Sequence, residues 1–287
     1  MSASFYATQA LHGFVYGMLL FLVASGLTLV FGMMRILNMA HASFYMAGAY
    51  IGYSVAQAAG NFWLALIVAP AVVGLSGILI EVFLLRRMLG HGTVAELLLT
   101  FGLFYIITEA IVWNWGSYAY SLEPPPILSG SIPLLGASYP VYRLFVLAMS
   151  LAVCAGLAAM LLYTRTGIII RATVSDSSMV SALGIDTSRV RYAVFGAGAS
   201  LAAFAGIIAV PFLQAEPSMG ASILIDSFVV VVLGGFGSLA GALLAALLIG
   251  EIQSFGILFL PDLAIIFQFL LMALVLMFRP SGLFGEP

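Results

Sequence analysis

Apolar stretches long enough to cross a lipid bilayer recur along the whole of this 287-residue sequence. A helix needs about 20 mostly apolar residues to cross the hydrocarbon layer. Hydrophobic residues make up 63% of the chain and charged residues only 7%, against roughly 25% charged residues in a soluble domain. Because lipid offers the backbone no hydrogen-bond partners, the spans must be helices or closed barrels. Runs such as 229–233 and 243–249 lack the alternation of barrel strands, so the sequence predicts an all-α, polytopic membrane helical bundle.

Nine segments of the sequence are predicted to be helical. They cover about residues 8–32, 39–58, 62–85, 95–115, 142–164, 191–213, 222–236, 238–258 and 263–279. The segment before Gly234 is only about 15 residues long, below the roughly 17 that a span needs, so it is predicted to be a half-helix or re-entrant piece. We therefore expect about 8–10 spans in one transmembrane domain over residues 1–287.

The basic residues predict the orientation in the membrane. All nine are Arg, and Arg favours cytoplasmic loops. One orientation puts eight of them inside and only Arg143 outside; the eight are Arg35, Arg86, Arg87, Arg165, Arg171, Arg189, Arg191 and Arg279. Under the nine-segment count, the sequence thus predicts a multi-pass membrane protein with a periplasmic N-terminus and a cytoplasmic C-terminus.

Two loops differ from the apolar background. Residues 116–141 contain three consecutive prolines and are predicted to form an extended outer loop. Residues 165–190 are the most polar stretch and are predicted to be cytoplasmic. Within them, Ser175 and Asp176 are expected to cap a short helix that runs to Leu183 and stops at Gly184. A short polar helix between two spans has the form of a docking element.

A glycine-rich stretch, 234–241, predicts a break in a membrane helix. Glycine lets the chain leave the helix and expose backbone groups to a cavity, although small residues at this spacing also serve plain helix packing. The sequence also contains a weak internal repeat. An apolar run, a glycine break and a helix rich in small residues occur in this order at residues 26–32 and 38–48, and again at residues 229–235 and 237–250. Interrupted hydrophobic segments in corresponding halves point to a transport site.

Eight residues near these breaks are candidates for a substrate pathway. They are Asn38, His41, Ser43, Asp226, Gly234, Gly235, Gly237 and Glu251. A charge inside a membrane helix is costly and usually faces the bundle interior or water. His41 is also compatible with a structural hydrogen bond, and we predict no metal site because no second His or Cys lies at ligand spacing.

Several functions are disfavoured by the residues that the chain lacks. It contains no Lys, and a phosphate-binding loop of the G-x-x-x-x-G-K-[ST] type requires one. The chain is therefore expected to bind no ATP or other cofactor and to depend on a partner for ATP hydrolysis. We find no motif for bond-breaking chemistry and no basic stripe for nucleic acid, so we expect neither an enzyme nor a nucleic-acid-binding protein. The small residues at 198, 202, 203 and 206 fit either packing inside the chain or contact with a second subunit.

Five segments together resemble a known family, the LivH-type permeases of branched-chain amino-acid ABC importers, which also includes urea and amide permeases. They are Gly26-Leu27-Thr28-Leu29-Val30-Phe31-Gly32, Asn38-Met39-Ala40-His41, Arg171-Ala172 with Asp176 and Leu183-Gly184-Ile185-Asp186, Val232-Leu233-Gly234-Gly235-Phe236-Gly237-Ser238, and Arg279-Pro280-Ser281-Gly282-Leu283-Phe284-Gly285. The resemblance covers nearly the whole chain.

The resemblance implies a permease subunit of the bacterial inner membrane that works in a complex. Its partners would be a second, similar permease, two cytoplasmic ATP-binding subunits and a periplasmic substrate-binding protein. It also implies that residues 171–187 contact the ATPase; the residues expected to do so are Arg171, Asp176, Ser181, Leu183, Gly184, Ile185 and Asp186. Two alternatives stay open at this point: a proton-coupled secondary transporter that uses Asp226 or Glu251, and a urea or amide permease of the same family.

Overall fold

The computed structural model describes residues 3–88, 91–134 and 136–285, and their backbone is overwhelmingly helical. The helices are α1 Ala3–Met34, α2 His41–Ala59, α3 Phe62–Ile80, α4 Arg86–Met88, α5 Thr93–Trp115, α6 Val141–Tyr163, α7 Arg165–Ser175, α8 Ser177–Ala182, α9 Thr187–Leu213, α10 Met219–Gly234, α11 Leu239–Phe259 and α12 Ala264–Phe278. A π-helical turn, Glu81–Leu85, joins α3 to α4, and short 3₁₀ turns lie at Pro126–Leu128 and Pro261–Leu263.

Each of the nine predicted segments corresponds to one of these helices, and the predicted fold class is confirmed. By length and composition, six helical stretches in the described residues can cross a membrane, and α10 and α12 are shorter apolar helices. The α10 helix has 16 residues, close to the length predicted for the interrupted segment. The total of 8–10 spans and the single-domain organisation stay predictions.

Helices α1 and α9 form the centre of the bundle. In their most apolar stretches 78% of the α1 residues and 72% of the α9 residues are buried, against 11% for α6. The α1 helix packs on α6, α9, α10 and α11, while α9 also packs on α2 and α3. The α6 helix therefore lies at the periphery, where lipid is the expected neighbour.

Small residues let the backbones of the central helices approach closely. Gly26 of α1 backs onto Gly198 of α9, and Gly206 of α9 lies against the Tyr45 carbonyl of α2, where neither glycine has room for a Cβ atom. Gly48 lies equally close to Ala203. The small residues of α9 are therefore used for packing inside the chain, which decides between the two uses that the sequence left open.

A small β-hairpin lies in the loop between α5 and α6. Strands β1, Ser131–Leu134, and β2, Ala137–Pro140, pair antiparallel with Ser131 opposite Pro140. The loop is tied to the end of α9 by mutual backbone hydrogen bonds between Tyr120 and Ala215 of 2.7 and 2.8 Å. The sequence predicted only an extended loop here, because strands of four residues are too short to produce a visible alternation.

Arg35 and Arg171 line one cavity at one end of the bundle, which we call the arginine-rich end. Arg279 donates to the Leu283 carbonyl in the C-terminal segment, whose Ser281 also lines this cavity. Arg143 lies at the opposite end of α1, beside His12. This separation agrees with the arrangement predicted from loop charges; which end faces the cytoplasm stays a prediction.

Candidate functional site

A buried carboxylate links three helices in the interior of the bundle. Asp226, in the middle of α10, is 7% exposed. The Tyr16 hydroxyl of α1 donates a hydrogen bond of 2.8 Å to Asp226 Oδ2, and the Gln268 side-chain amide of α12 donates one of 3.2 Å to Oδ1. The α2 helix also packs on α10. An ionisable group inside a membrane bundle marks a functional site by default, since its burial is costly.

The partners of Asp226 were not predicted from the sequence. Gln268 could have been recognised in the sequence as a candidate, because it is the only polar side chain in the 15 residues of α12. It is 2% exposed, and its Oε1 atom has no hydrogen-bond partner among the described residues. Tyr16 carried no signal, since tyrosine is common in membrane helices. The cluster offers one carboxylate and one free amide oxygen, both of which attract a cationic group such as an ammonium.

Glu251, the second predicted acid, contacts α1 at a different position from Asp226. It belongs to α11 and is half-buried, and its side chain occupies the space where a Cβ atom at Gly13 would lie. Gly13 and Tyr16 are about one helical turn apart, so both acids contact the same stretch of α1 from different neighbouring helices.

The first helix break, residues 35–40, is held by polar side chains. Asn38 is buried, and its Oδ1 accepts a hydrogen bond of 3.1 Å from the Ala40 backbone N–H. The Ser43 hydroxyl donates to the Ala40 carbonyl at 2.7 Å. His41 Nε2 lies 3.0 Å from the Val23 carbonyl of α1, and because a carbonyl only accepts, Nε2 carries the proton.

These contacts confirm that His41 has the structural hydrogen bond considered as an alternative. His41 and Ser43 are almost fully buried, and the Nδ1 atom of His41 and the Nδ2 atom of Asn38 have no partner among the described residues. Two polar atoms thus remain free beside the break. The described residues contain no group of three or more His, Cys, Asp or Glu side chains arranged to hold a metal ion.

The second break, residues 235–238, is held by glycine packing. Gly235 has a φ of +98°, and its α-carbon faces the backbone of the C-terminal segment 281–285, with no room for a side chain. The Leu283 and Phe284 amides donate to the Leu233 and Gly234 carbonyls at 2.9 and 3.0 Å. We call residues 281–285 the C-terminal strap. It satisfies carbonyls that the end of α10 would otherwise leave without partners.

The remaining predicted glycines lie next to this strap. Gly234 packs directly against Gly241 of α11, backbone to backbone. Gly237, with a φ of +81°, approaches Gly32 of α1, and a Cβ on it would lie 3.5 Å from the Gly32 Cα. The rings of Phe31 and Phe236 stack with centroids 4.4 Å apart. The two breaks predicted as a repeat therefore meet at the arginine-rich end.

The predicted docking element consists of two helices, α7 and α8. Asp176 caps α8 by accepting hydrogen bonds from the Ser178 and Met179 amides at 3.0 and 2.9 Å, as predicted. Ser175, which was also expected to cap this helix, is instead the last residue of α7. The Ser178 hydroxyl also donates to the Asp176 carboxylate, which with the amides holds the pKa of Asp176 below its usual value, so the cap is ionised at neutral pH. Gly184 follows with a φ of +83°, which confirms the predicted stop.

The surface of this element is exposed at most of the predicted contact residues. Exposed are Arg171, Asp176, Ser181, Leu183, Gly184 and Asp186, and Ile185 is half-buried. Val180 is the buried residue that anchors α8. Leu183 is 74% exposed and Met179 is 60% exposed, which leaves apolar surface available to a partner.

Two further charged contacts were not foreseen. Glu81 is fully buried at the end of α3, where its Oε1 lies 2.5 Å from Arg191 Nε of α9. At the opposite end of α1, Arg143 donates to His12, whose ring stacks on Tyr139 with centroids 5.0 Å apart.

The comparisons with known proteins agree along nearly the whole chain. The family model described as "Branched-chain amino acid transport system / permease component" matches residues 9–276. The high-affinity branched-chain amino acid transport system permease protein BraD of Pseudomonas aeruginosa is 28% identical over 98% of this chain and 96% of its own. The permease protein LivH of the corresponding Escherichia coli system is 27% identical over 99% of this chain and 96% of its own.

A more distant relative comes from an archaeon. The probable branched-chain amino acid transport permease protein LivH of Methanocaldococcus jannaschii is 27% identical over 84% of this chain and 78% of its own. No solved structure matches the chain significantly. Because the family model matches far more than half of the sequence, the chain belongs to the family of permease components of branched-chain amino acid transport systems.

Proposed function

We propose that this chain is the membrane-spanning permease subunit of an ATP-driven importer for branched-chain amino acids. The observation that carries the proposal is the correspondence with permease components over residues 9–276. The partners are a second permease, two cytoplasmic ATP-binding subunits and a periplasmic substrate-binding protein. ATP is used by the partners, which agrees with a sequence that contains no Lys for a phosphate-binding loop.

We place the substrate pathway beside α2 and α10, past Asn38, His41, Ser43 and Asp226. Support comes from the free polar atoms of Asn38 and His41 and from the buried carboxylate of Asp226. An amino-acid zwitterion needs a partner for its ammonium group, a donor for its carboxylate and apolar surface for its side chain. The Asp226 carboxylate supplies the first, the unpaired Asn38 Nδ2 group supplies a donor for the second, and the apolar faces of α2 and α10 supply the third. Gly234, Gly235, Gly237 and Glu251 stay predictions as pathway residues.

A matched pair of acid variants tests this pathway. Asp226→Asn keeps the shape and the acceptor for Tyr16 but removes the charge, so leucine uptake by the assembled importer should fall by more than tenfold, which corresponds to about 1.4 kcal/mol. Glu251→Gln, at the other predicted pathway acid, is the comparison on the neighbouring helix and should lose less uptake than Asp226→Asn. If only the Glu251 variant lost uptake, the pathway would pass Glu251 on α11 and not Asp226 on α10.

The transport activity itself is tested in proteoliposomes. The complete complex with ATP and the binding protein should accumulate leucine, isoleucine and valine but not urea. The chain alone, under a proton gradient, should accumulate none of them. Accumulation by the chain alone would favour the secondary transporter, and preference for urea would favour the amide permease.

The helices α7 and α8 form the contact with the ATPase in this proposal. A cysteine at Ser181, in a variant whose single native cysteine, Cys154, is replaced by Ala, should cross-link to the ATP-binding subunit. Ser129, which is exposed beside the β-hairpin, provides the control position and should not cross-link. Equal cross-linking at both positions would contradict this docking site.

A further inference from the structure

An apolar groove opens along the peripheral side of α1. It has a volume of about 470 Å³ and is bounded by α1, α6, α7 and α11. Its walls are formed almost entirely by apolar side chains, among them Phe21, Leu29, Leu157 and Leu243. Because α6 is the least buried of the candidate spans, the groove borders the region that lipid occupies.

The groove leads into a basic cavity at the arginine-rich end. This second cavity has a volume of about 710 Å³ and shares Gly32, Arg171, Val174 and Gly237 with the groove. Arg35 and Arg171 bring two guanidinium groups to it, and Ser175, Ser238 and Ser281 add hydroxyl groups. No acidic residue is among those that line either cavity.

The two arginines lack acidic partners in the part of the chain that the structure describes. Its two ion pairs are Arg189 with Asp186 and Arg191 with Glu81. Arg171 donates to the Leu161 carbonyl, which leaves its charge unneutralised. Arg35 is exposed and adopts a φ of +54°, a conformation that is uncommon for a residue other than glycine.

We propose that the groove and the basic cavity together bind one anionic phospholipid. The phosphate lies between Arg35 and Arg171, and an acyl chain lies in the groove between α6 and α11. Basic pockets between membrane helices bind anionic headgroups in this way, and guanidinium groups match phosphate oxygens well. The continuity of an apolar and a basic compartment fits an amphipathic anion, whereas a second protein chain would have to bring its own acidic side chain to the same place.

The position of this site gives the lipid a role in coupling. Arg171 belongs to α7 of the docking element, Arg35 and Gly237 belong to the two helix breaks, and Ser281 belongs to the C-terminal strap. A bound phosphate therefore connects the docking helices to both breaks. The role in coupling relies on the proposed function, whereas the binding of the lipid does not.

The binding step is tested with the purified full-length chain by native mass spectrometry. The probes are phosphatidylglycerol and phosphatidylcholine with identical acyl chains, and inorganic phosphate is added separately. Each arginine near an anionic headgroup contributes about 1 kcal/mol, which is about fivefold in affinity. The wild-type chain should therefore prefer phosphatidylglycerol, Arg35→Gln or Arg171→Gln should each weaken it about fivefold, and the double variant should abolish the preference.

Arg165→Gln is the matched control, since Arg165 is exposed on α7 but is not among the residues lining the two cavities. It should bind as the wild type does, and Leu157→Trp should reduce binding by filling the groove while leaving both arginines in place.

Equal binding of the two lipids, an unchanged double variant, or competition by inorganic phosphate at the same concentration would overturn the proposal. So would loss of phosphatidylglycerol binding when the second permease is present, because that partner would then occupy the groove.

Discussion

The two helix breaks meet at the same end of the bundle but are stabilised in different ways. The break between α1 and α2 is held by side chains: the Asn38 amide oxygen, the Ser43 hydroxyl and the His41 ring each form a hydrogen bond within or beside it. The break between α10 and α11 is held by backbone packing of Gly234, Gly235 and the C-terminal strap. The first break thus depends mainly on side-chain hydrogen bonds. The second depends mainly on residues that lack side chains, although Ser238 Oγ also accepts a hydrogen bond of 3.1 Å from the Gly241 amide.

This difference predicts opposite sensitivities to mutation, and the largest effect is expected at Gly235. Gly235→Ala forces a side chain into a φ of +98° and against the backbone of the strap. The strain alone costs about 1–3 kcal/mol, and the collision adds to it. Thermal unfolding of the purified protein in detergent should show a clearly lower melting temperature, or the variant should fail to accumulate.

Gly102→Ala provides the control for that substitution. Gly102 lies in α5, and a Cβ there meets no neighbouring atom within 4 Å. Its melting temperature should be unchanged or slightly higher, since Ala is the better helix former. Similar losses in the two variants would mean that glycine packing does not distinguish the second break.

The C-terminal strap should give the next largest effect. A stop codon after Arg279 removes the Leu283 and Phe284 amides, so the Leu233 and Gly234 carbonyls lose their partners. Two such hydrogen bonds contribute about 1–3 kcal/mol together. Hydrogen exchange should increase over residues 231–241 and stay unchanged over residues 35–43. Equal increases at both breaks would show that they are stabilised as one unit.

The sequence predicts helices far better than it predicts their partners. The nine apolar segments all correspond to helices, because lipid requires long apolar runs that are visible along the chain. The cap at Asp176 and the stop at Gly184 are equally local and were also predicted correctly. The β-hairpin was missed because its strands have four residues each.

Contacts between distant residues could not be predicted in this way. Glu81 and Arg191 are 110 positions apart, and Asp226 and Tyr16 are 210 apart. No spacing rule connects them, since which side chains meet depends on how the helices pack. The strap shows the same limit: its residues carried the family resemblance, yet their contact with Gly235 had no local signal.

At the first break, Asn38→Ala should cost about 1 kcal/mol through the loss of the hydrogen bond to Ala40. Asn61→Ala is the matched control, because Asn61 caps α3 with bonds to the Trp63 and Leu64 amides but is exposed. Water can replace the Asn61 bonds, so this variant should lose less. Urea unfolding of both variants in the same detergent gives the comparison, and a larger loss for Asn61→Ala would argue against a side-chain-dependent first break.

The smallest effects are expected at the residues with positive φ, where a substitution should destabilise the second break but not the first. Gly237 and Arg35 both have positive φ values, +81° and +54°, but one break has a glycine there and the other an arginine. Gly237→Ala introduces strain of about 1 kcal/mol, and its Cβ has room beside Gly32, so this variant should fold and be slightly less stable. Arg35→Gly removes a comparable strain, which offsets the greater freedom that glycine gives the unfolded chain. Melting temperatures should therefore fall for Gly237→Ala and stay within error of the wild type for Arg35→Gly. A marked loss of stability in Arg35→Gly would show that the arginine side chain itself stabilises the first break. This result is expected if the phospholipid proposed above stays bound to the purified protein. Delipidation should then remove the difference in melting temperature between the wild type and Arg35→Gly.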